Sequence, residues 1–379
     1  MAAATTPPGN PVPSRRPLWK RIFKCIAFSV LGLALLLAAA GFSYNQIEQY
    51  RDARRFPRQG KSIQLGPEFG NLSLNLNCSG QGSPTVILDS GGGVPAIGWK
   101  HIQPELAKFT HVCSYDRAGY GWSAAGPMPR TSSEMARELH AMLGAAGEKP
   151  PYILVGHSLG GFNIRVFNGF YPNEVAGMVL VDGSSENGAR AQGSKPSPAF
   201  AELLKKQEAD FKWQKRLALF RISLGIARLM DRSLGPAYLS RDDREEMRYL
   251  ELQMKFYRAA WSELDSFAES AREVHAARSL GDKPLIVLTA AKVVPAPPGL
   301  PQKDFDDIQN RWVNDLQVRL AHLSSRGRQI ILTDSSHMIP FEQPAKVVSA
   351  IQEVWSEARQ QPGPLPNTQN RRPVALQSR

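Results

Sequence analysis

The chain has 379 residues, 42% of them hydrophobic, and a formal net charge of +12 at pH 7. That length holds one large domain or two average ones and buries a core without staples. A basic chain suggests nucleic acid, but the distribution excludes that partner. The first 61 residues hold ten Lys/Arg against two Asp/Glu, residues 362–379 hold three Arg and no acid, and the stretch between holds 33 against 32. A nearly neutral body with basic ends fits contact with anionic lipid headgroups.

Residues 1–17 are rich in Pro, Ala and Thr and read as disordered. Residues 18–47 read as a transmembrane signal anchor. Their core, Cys25 to Ile47, is 23 residues without a charge. At 1.5 Å per residue it spans about 34 Å, enough for a hydrocarbon core of about 30 Å. A cleavable signal peptide, cut after Ala38-Ala39-Ala40, is the competing reading. The apolar run is longer than an ordinary signal-peptide core, which favours the anchor. Arg15, Arg16, Lys20, Arg21 and Lys24 precede the segment, and Arg51, Arg54, Arg55, Arg58 and Lys61 follow it. The count is a tie. The front cluster lies closer, and long domains translocate largely regardless of charge. The expectation is a single-pass membrane protein with its large domain on the extracytoplasmic side. Residues 48–60 read as a basic juxtamembrane segment.

From about residue 61 strands and helices alternate. Apolar runs at 85–89, 112–115, 151–155, 177–181, 284–289 and 329–332 are nearly unbroken, as in strands covered on both faces. Leu72 to Cys78 reads as a further strand. Amphipathic stretches such as Ser133 to Leu143 and Val347 to Ala358 read as helices. The pattern is that of an α/β protein with a mainly parallel sheet flanked by helices. The core is assigned to residues 61–183 and 282–360. Residues 184–281 are strand-poor, with helical spacing over Leu203 to Leu217, Leu250 to Tyr257 and Trp261 to Ala277. They read as a helical cap inserted at the strand end nearest the site, with a decorative side domain as the alternative. Residues 361–379, rich in Pro, Gln and Arg, read as a disordered tail.

The chemistry centres on Gly156-His157-Ser158-Leu159-Gly160. The run 151–155 before it reads as a strand and Gly161 to Tyr171 after it as a helix. A serine on such a turn is exposed in a strained conformation at a helix start, where free N–H groups suit an oxyanion. A serine hydroxyl needs a base and a group to orient that base. His337 fits the base, because it follows the last strand in the loop Thr333 to Pro340. His101, His140, His275 and His322 fall in helical stretches, His111 starts a strand, and His157 projects away from the serine. The oxyanion donors are assigned to the N–H groups of Leu159 and Gly92, the latter in the loop Ser90-Gly91-Gly92-Gly93. The acid has two candidate places. Asp182 ends the strand 177–181. The loop after 285–289 carries no carboxylate before Asp304, Asp306 and Asp307, which sit at a helix start. Asp182 is preferred, with those three as the alternative.

Taken together these residues resemble the α/β-hydrolase superfamily over about 61–360, in a bacterial membrane-anchored branch. The resemblance rests on Ser90 to Gly93, on Tyr115-Asp116-Arg117-Ala118-Gly119-Tyr120-Gly121-Trp122-Ser123, on the Gly156–Gly160 turn, and on Ser336-His337 followed by Glu342-Gln343-Pro344. It implies an eight-stranded, mostly parallel sheet with a helical cap. Two departures stand out: Ser90-Gly91 replaces the usual His-Gly, and the usual acid after the seventh strand is missing. In that fold the second and fourth strands are neighbours, which would bring Cys78 and Cys113 together as a disulfide; two buried free thiols are the alternative. The implied activity is cleavage of a carboxylic ester, or less readily an amide, through an acyl-enzyme on Ser158. It needs no metal or cofactor, and the substrate would be a small-molecule or lipid-like acyl compound. Acyl transfer with the same residues, and a non-catalytic membrane-tethered binding protein, are the competing functions.

Overall fold

The computed structural model describes residues 18–186, 198–230, 239–277 and 279–360. The expected disordered ends, 1–17 and 361–379, lie outside these, as do 187–197 and 231–238 within the insertion.

The chain opens with one long helix, α1 (Leu18–Arg55). An 18-residue window within it has a mean hydropathy of 2.4, and the helix is long and apolar enough to cross a membrane. It does not stop where the apolar run stops. The basic stretch after Ile47 stays helical to Arg55, held by an Arg51–Glu48 pair one turn apart and by ion pairs from Asp52 and Arg55 to the insertion.

Eight strands follow: β1 (Lys61–Gln64), β2 (Ser73–Ser79), β3 (Thr85–Asp89), β4 (Val112–Asp116), β5 (Tyr152–His157), β6 (Val175–Val181), β7 (Leu285–Ala290) and β8 (Gly327–Leu332). They form one sheet in the order β1-β2-β4-β3-β5-β6-β7-β8. β2 runs antiparallel to both β1 and β4, and every other pairing is parallel. Parallel strands require crossovers, and helices supply them. In chain order the helices after α1 are α2 (Gln103–Leu106), α3 (Ser132–Ala146), α4 (Gly160–Phe170), α5 (Pro198–Ser223), α6 (Ile226–Met230), α7 (Arg241–Glu251), α8 (Met254–Asp265), α9 (Phe267–His275), α10 (Gln302–Arg311), α11 (Gln317–Ala321) and, beyond the last strand, α12 (Ile339–Glu342) and α13 (Pro344–Arg359).

The unbroken apolar runs are explained by burial on both faces. Along β5, Leu154 faces one core with α3, α4, α9 and α11, while Ile153 and Val155 face a second core with α2 and α13. Each fully buried aliphatic side chain of this kind contributes about 1.5–3 kcal/mol. α3 starts at Thr131, whose hydroxyl accepts from the Glu134 N–H, and stops at Gly147 in the left-handed conformation.

α5 to α9 occupy the connection from β6 to β7. Two expected helices are divided differently. Leu250 to Tyr257 is not one helix, because α7 ends at Glu251 and Gln253 is extended before α8. Trp261 to Ala277 is broken at Ser266, between α8 and α9. The breaks let each piece face a different partner. α7 presents Asp243 and Glu246 to Lys100, whereas α8 presents Phe256, Ala259 and Glu263 to Tyr120 and Arg117. Helical periodicity survives such a break, so the sequence pattern alone does not show it.

Cys78 and Cys113 are register partners across β2 and β4 and form a disulfide with an S–S distance of 2.06 Å. Cys25 is an exposed free thiol in α1.

Candidate active site

Ser158 sits between β5 and α4 with φ +51°. A non-glycine residue in that region costs about 1–3 kcal/mol, so the surrounding structure must hold it there. It does so at both ends: Ser158 N–H donates to the Val181 carbonyl at 3.2 Å, and the Ser158 carbonyl accepts from Ser184 N–H at 2.9 Å. The flanking glycines are required by space. A Cβ on Gly156 would lie 2.6 Å from the Gly160 carbonyl carbon, and one on Gly160 would run into the Asp89 carbonyl oxygen.

His337 arrives on the loop after β8. That loop is fastened by Glu342, which accepts from the Ser336 N–H at 2.7 Å and the Ser336 hydroxyl at 2.8 Å. His337 Nε2 lies 2.9 Å from Ser158 Oγ, and its Nδ1 lies 2.6 Å from Asp182 Oδ2. The three side chains form a continuous line from 3% exposed Asp182 to 48% exposed His337. With Nδ1–H donated to the carboxylate, Nε2 carries a lone pair toward Ser158 Oγ, an arrangement able to take up a proton from that hydroxyl.

Asp182 follows β6 directly, with φ +45°. Its N–H donates to the Leu288 carbonyl at 2.7 Å. Its Oδ1 accepts from the Ala290 N–H at 3.0 Å and the Trp312 indole at 2.8 Å. Oδ2 is thereby left for His337. Asp304, Asp306 and Asp307 lie on α10, where Asp306 Oδ1 accepts from Gln302. The carboxylate brought to His337 is Asp182. Trp312, in a π-helical turn after α10, was not singled out by any sequence signal.

His157 has a specific structural task. It is buried, and its Nε2 donates to the His337 carbonyl oxygen at 2.9 Å, so it ties β5 to the base-bearing loop. Burial, reinforced by the nearby His337, lowers its pKa to about 4 and keeps it neutral.

The glycine loop Ser90 to Gly93, facing Ser158, is held by Arg117. Its guanidinium donates to the carbonyls of Ser90 (2.6 Å) and Gly91 (2.9 Å), and it pairs with Asp89 and Glu263. A peptide plane is rigid and trans, so a fixed carbonyl fixes the opposed N–H of the next residue. Holding the Ser90 and Gly91 carbonyls therefore turns the Gly91 and Gly92 N–H groups the other way. Gly91 lies against Ser158 and His157, and Gly92 lies against Leu159. Tyr120 accepts from the Gly93 N–H and donates to Glu263, which ties α8 to the same loop. The Arg117 charge is sustained despite complete burial, because the opposed Glu263 and Asp89 outweigh desolvation and push its pKa up. Tyr115 to Ser123 carries part of the family resemblance, but nothing local in that stretch indicates that Arg117 reaches the glycine loop; the fold brings them together.

Comparison with known proteins bears on the family and the fold. Residues 86–350 match the profile of the Alpha/beta hydrolase family. Protein YqjL of Bacillus subtilis is 25% identical over 286 residues, which cover 76% of this chain and 89% of that protein. Protein YbdG of the same organism is 28% identical over 167 residues, 44% of this chain and only 50% of its own length. Among solved structures, a thermophilic esterase from Thermogutta terrifontis superposes with a TM-score of 0.53 at 22% identity, covering 79% of this chain and 99% of that one. The epoxide hydrolase CorEH superposes with a TM-score of 0.57 at 17% identity, covering 78% and 98%. At those identities the likeness is one of fold. The family profile covers well over half of the 379 residues, and the chain belongs to the Alpha/beta hydrolase family.

Proposed function

We propose that the chain is a membrane-anchored serine hydrolase that cleaves a carboxylic ester through an acyl-enzyme on Ser158. One observation carries this reading: His337 bridges Ser158 Oγ and Asp182 at hydrogen-bond distance on both sides. The fold neighbours include both an esterase and an epoxide hydrolase. A serine at the nucleophile position, in place of the carboxylate that epoxide opening uses, favours acyl transfer chemistry.

In this mechanism Ser158 Oγ attacks the ester carbonyl as its proton passes to His337 Nε2. Asp182 holds the imidazole in that orientation and stabilises its cationic form. The oxyanion is met by the N–H groups of Leu159, at the start of α4, and Gly92, turned by the Arg117 contacts. Each such donor is worth about 10²–10³ in rate. The proton then moves from Nε2 to the leaving alkoxide, and the alcohol departs. Water, deprotonated by Nε2, attacks the acyl-enzyme; the acyl–Oγ bond breaks, the carboxylic acid leaves, and Nε2 returns its proton to Ser158 Oγ.

α1 serves as the anchor, with the catalytic domain on the extracytoplasmic side. The disulfide within the domain supports that side, because such bonds persist in oxidising compartments. The test is turnover of a short-chain activated ester by the full chain and by Ser158→Ala. Loss of turnover with an unchanged circular-dichroism spectrum is the expected result; a variant as active as wild type would refute the mechanism.

A further inference from the structure

The helical insertion touches α1 below the level at which α1 becomes charged. A Cβ on Gly41 would run into the Leu224 carbonyl oxygen, and one on Gly225 would lie 3.0 Å from the Gly41 carbonyl oxygen. The two backbones therefore meet closely at the α5–α6 corner. Gly41 lies within the uncharged stretch 25–47, six residues before its end. Six helical residues rise about 9 Å. From this corner α6 climbs along α1 toward its charged part. Arg228 meets Asn45 at 3.2 Å and pairs with Asp52, and Arg55 pairs with Glu245 on α7. Asn45 is 4% exposed, so the contact is closely packed.

The same corner carries unpaired apolar surface. Phe220, Leu229 and Met230 are 58%, 58% and 69% exposed, and Trp213 on α5 is 64% exposed. Arg216 and Arg221 are exposed among them. Aromatic and aliphatic side chains interspersed with arginine are the composition of a helix lying in the headgroup region of a bilayer.

We propose that the α5–α6 corner of the insertion is a membrane-seating surface, immersed at the headgroup–acyl boundary of the bilayer that α1 crosses. This rests on reading α1 as a membrane span. The occupant is lipid, because the contact at Gly41 brings the corner to the depth of the uncharged segment, and a soluble partner does not reach that depth. The seat also bears on the site. Lys215 on α5 pairs with Asp265 on α8, and Glu263 on α8 pairs with Arg117 behind the oxyanion loop. The helix that holds Arg117 is thus joined by an ion pair to the element that rests on the lipid.

The experiment uses the full chain with Cys25→Ser and one reporter cysteine at a time, labelled with an environment-sensitive fluorophore. The reporters are Phe220→Cys, Met230→Cys, Leu31→Cys in the apolar segment, and Phe170→Cys. The last is exposed and lies at the end of α4 remote from Ser158. The chain is reconstituted in phosphatidylcholine–phosphatidylglycerol vesicles. Quenching is read from a lipid carrying a nitroxide near its headgroup and from aqueous iodide. The proposal expects lipid quenching and iodide shielding at positions 220 and 230, and the reverse at 170. If position 31 reports lipid while 220 and 230 behave like 170, the seat is overturned and the span stands. If position 31 is open to iodide, both the span and the seat fail. Positions 220 and 230 shielded from both quenchers would show a protein contact between copies, which also overturns the proposal.

Discussion

The replacement Asp182→Asn separates orientation of the base from every other property of the site. Asp182 Oδ1 already accepts two donors, the Ala290 N–H and the Trp312 indole. An asparagine therefore has one acceptable setting. Its carbonyl takes the place of Oδ1, and its amide nitrogen takes the place of Oδ2, 2.6 Å from His337 Nδ1. The flipped setting would point the amide hydrogens at two donors and leave both unsatisfied in a buried place, at about 1–3 kcal/mol each. In the accepted setting the amide donates to Nδ1, so the imidazole proton moves to Nε2. Nε2 then donates toward Ser158 and no longer accepts from it. An imidazole held in the wrong tautomer costs about 10⁴ in kcat, which is about 5 kcal/mol of transition-state stabilisation. The assay is steady-state hydrolysis of a short-chain nitrophenyl ester by full-length protein in detergent, with Asp306→Asn beside it. kcat should collapse for Asp182→Asn, with KM and the thermal midpoint nearly unchanged, and stay near wild type for Asp306→Asn. An Asp182→Asn enzyme within tenfold of wild type, or an equal fall in Asp306→Asn, would refute the reasoning.

Three further outcomes are expected. Arg117→Lys keeps the charge but loses the fork that holds the Ser90 and Gly91 carbonyls, so kcat should fall on the order of 10²-fold with KM little changed; an unchanged kcat would remove Arg117 from the oxyanion argument. His157 has a folded pKa of about 4 against an ordinary value of 6.5, so the unfolded chain binds the extra proton. Its contribution is fully present above pH 6.5 and is lost as pH falls toward 4, by about 3 kcal/mol in all. Urea midpoints from pH 7 to 4.5 should therefore drop more steeply for wild type than for His157→Gln, and parallel curves would contradict this. Replacing Cys78 and Cys113 by alanine frees a loop with a sequence separation of 35 and should lower stability by about 4 kcal/mol; an unmoved denaturation midpoint would show that the bond contributes nothing.

The parts that were legible in the sequence are those dictated by local physics. Strands buried on both faces read as unbroken Val/Ile/Leu runs, and β3, β5 and β6 lie where those runs do. The turn at Ser158 was legible because its glycines leave no room for a side chain. The Asp182 carboxylate was harder to assign, since an Asp before Gly183 is equally a turn residue. What distinguishes it is the Leu288 carbonyl that takes its N–H and the Trp312 indole that fills Oδ1, both more than 100 residues away. The helical course of residues 48–55 has its partners in α6 and α7, and α8, which starts after the break at Gln253, has its partners in Arg117 and Tyr120. Such long-range pairings leave no periodic trace in the chain.

The central claim is that Ser158 becomes acylated while His337 and Asp182 work as its base and orienting group. Intact-mass analysis after exposure to a fluorophosphonate probe tests it most directly, with peptide mapping of the adduct. The account predicts one adduct per wild-type chain, located on the peptide containing Ser158, none on Ser158→Ala, and much slower labelling of His337→Ala. An unlabelled wild-type chain that folds normally, or an adduct mapped to a different serine, would contradict it.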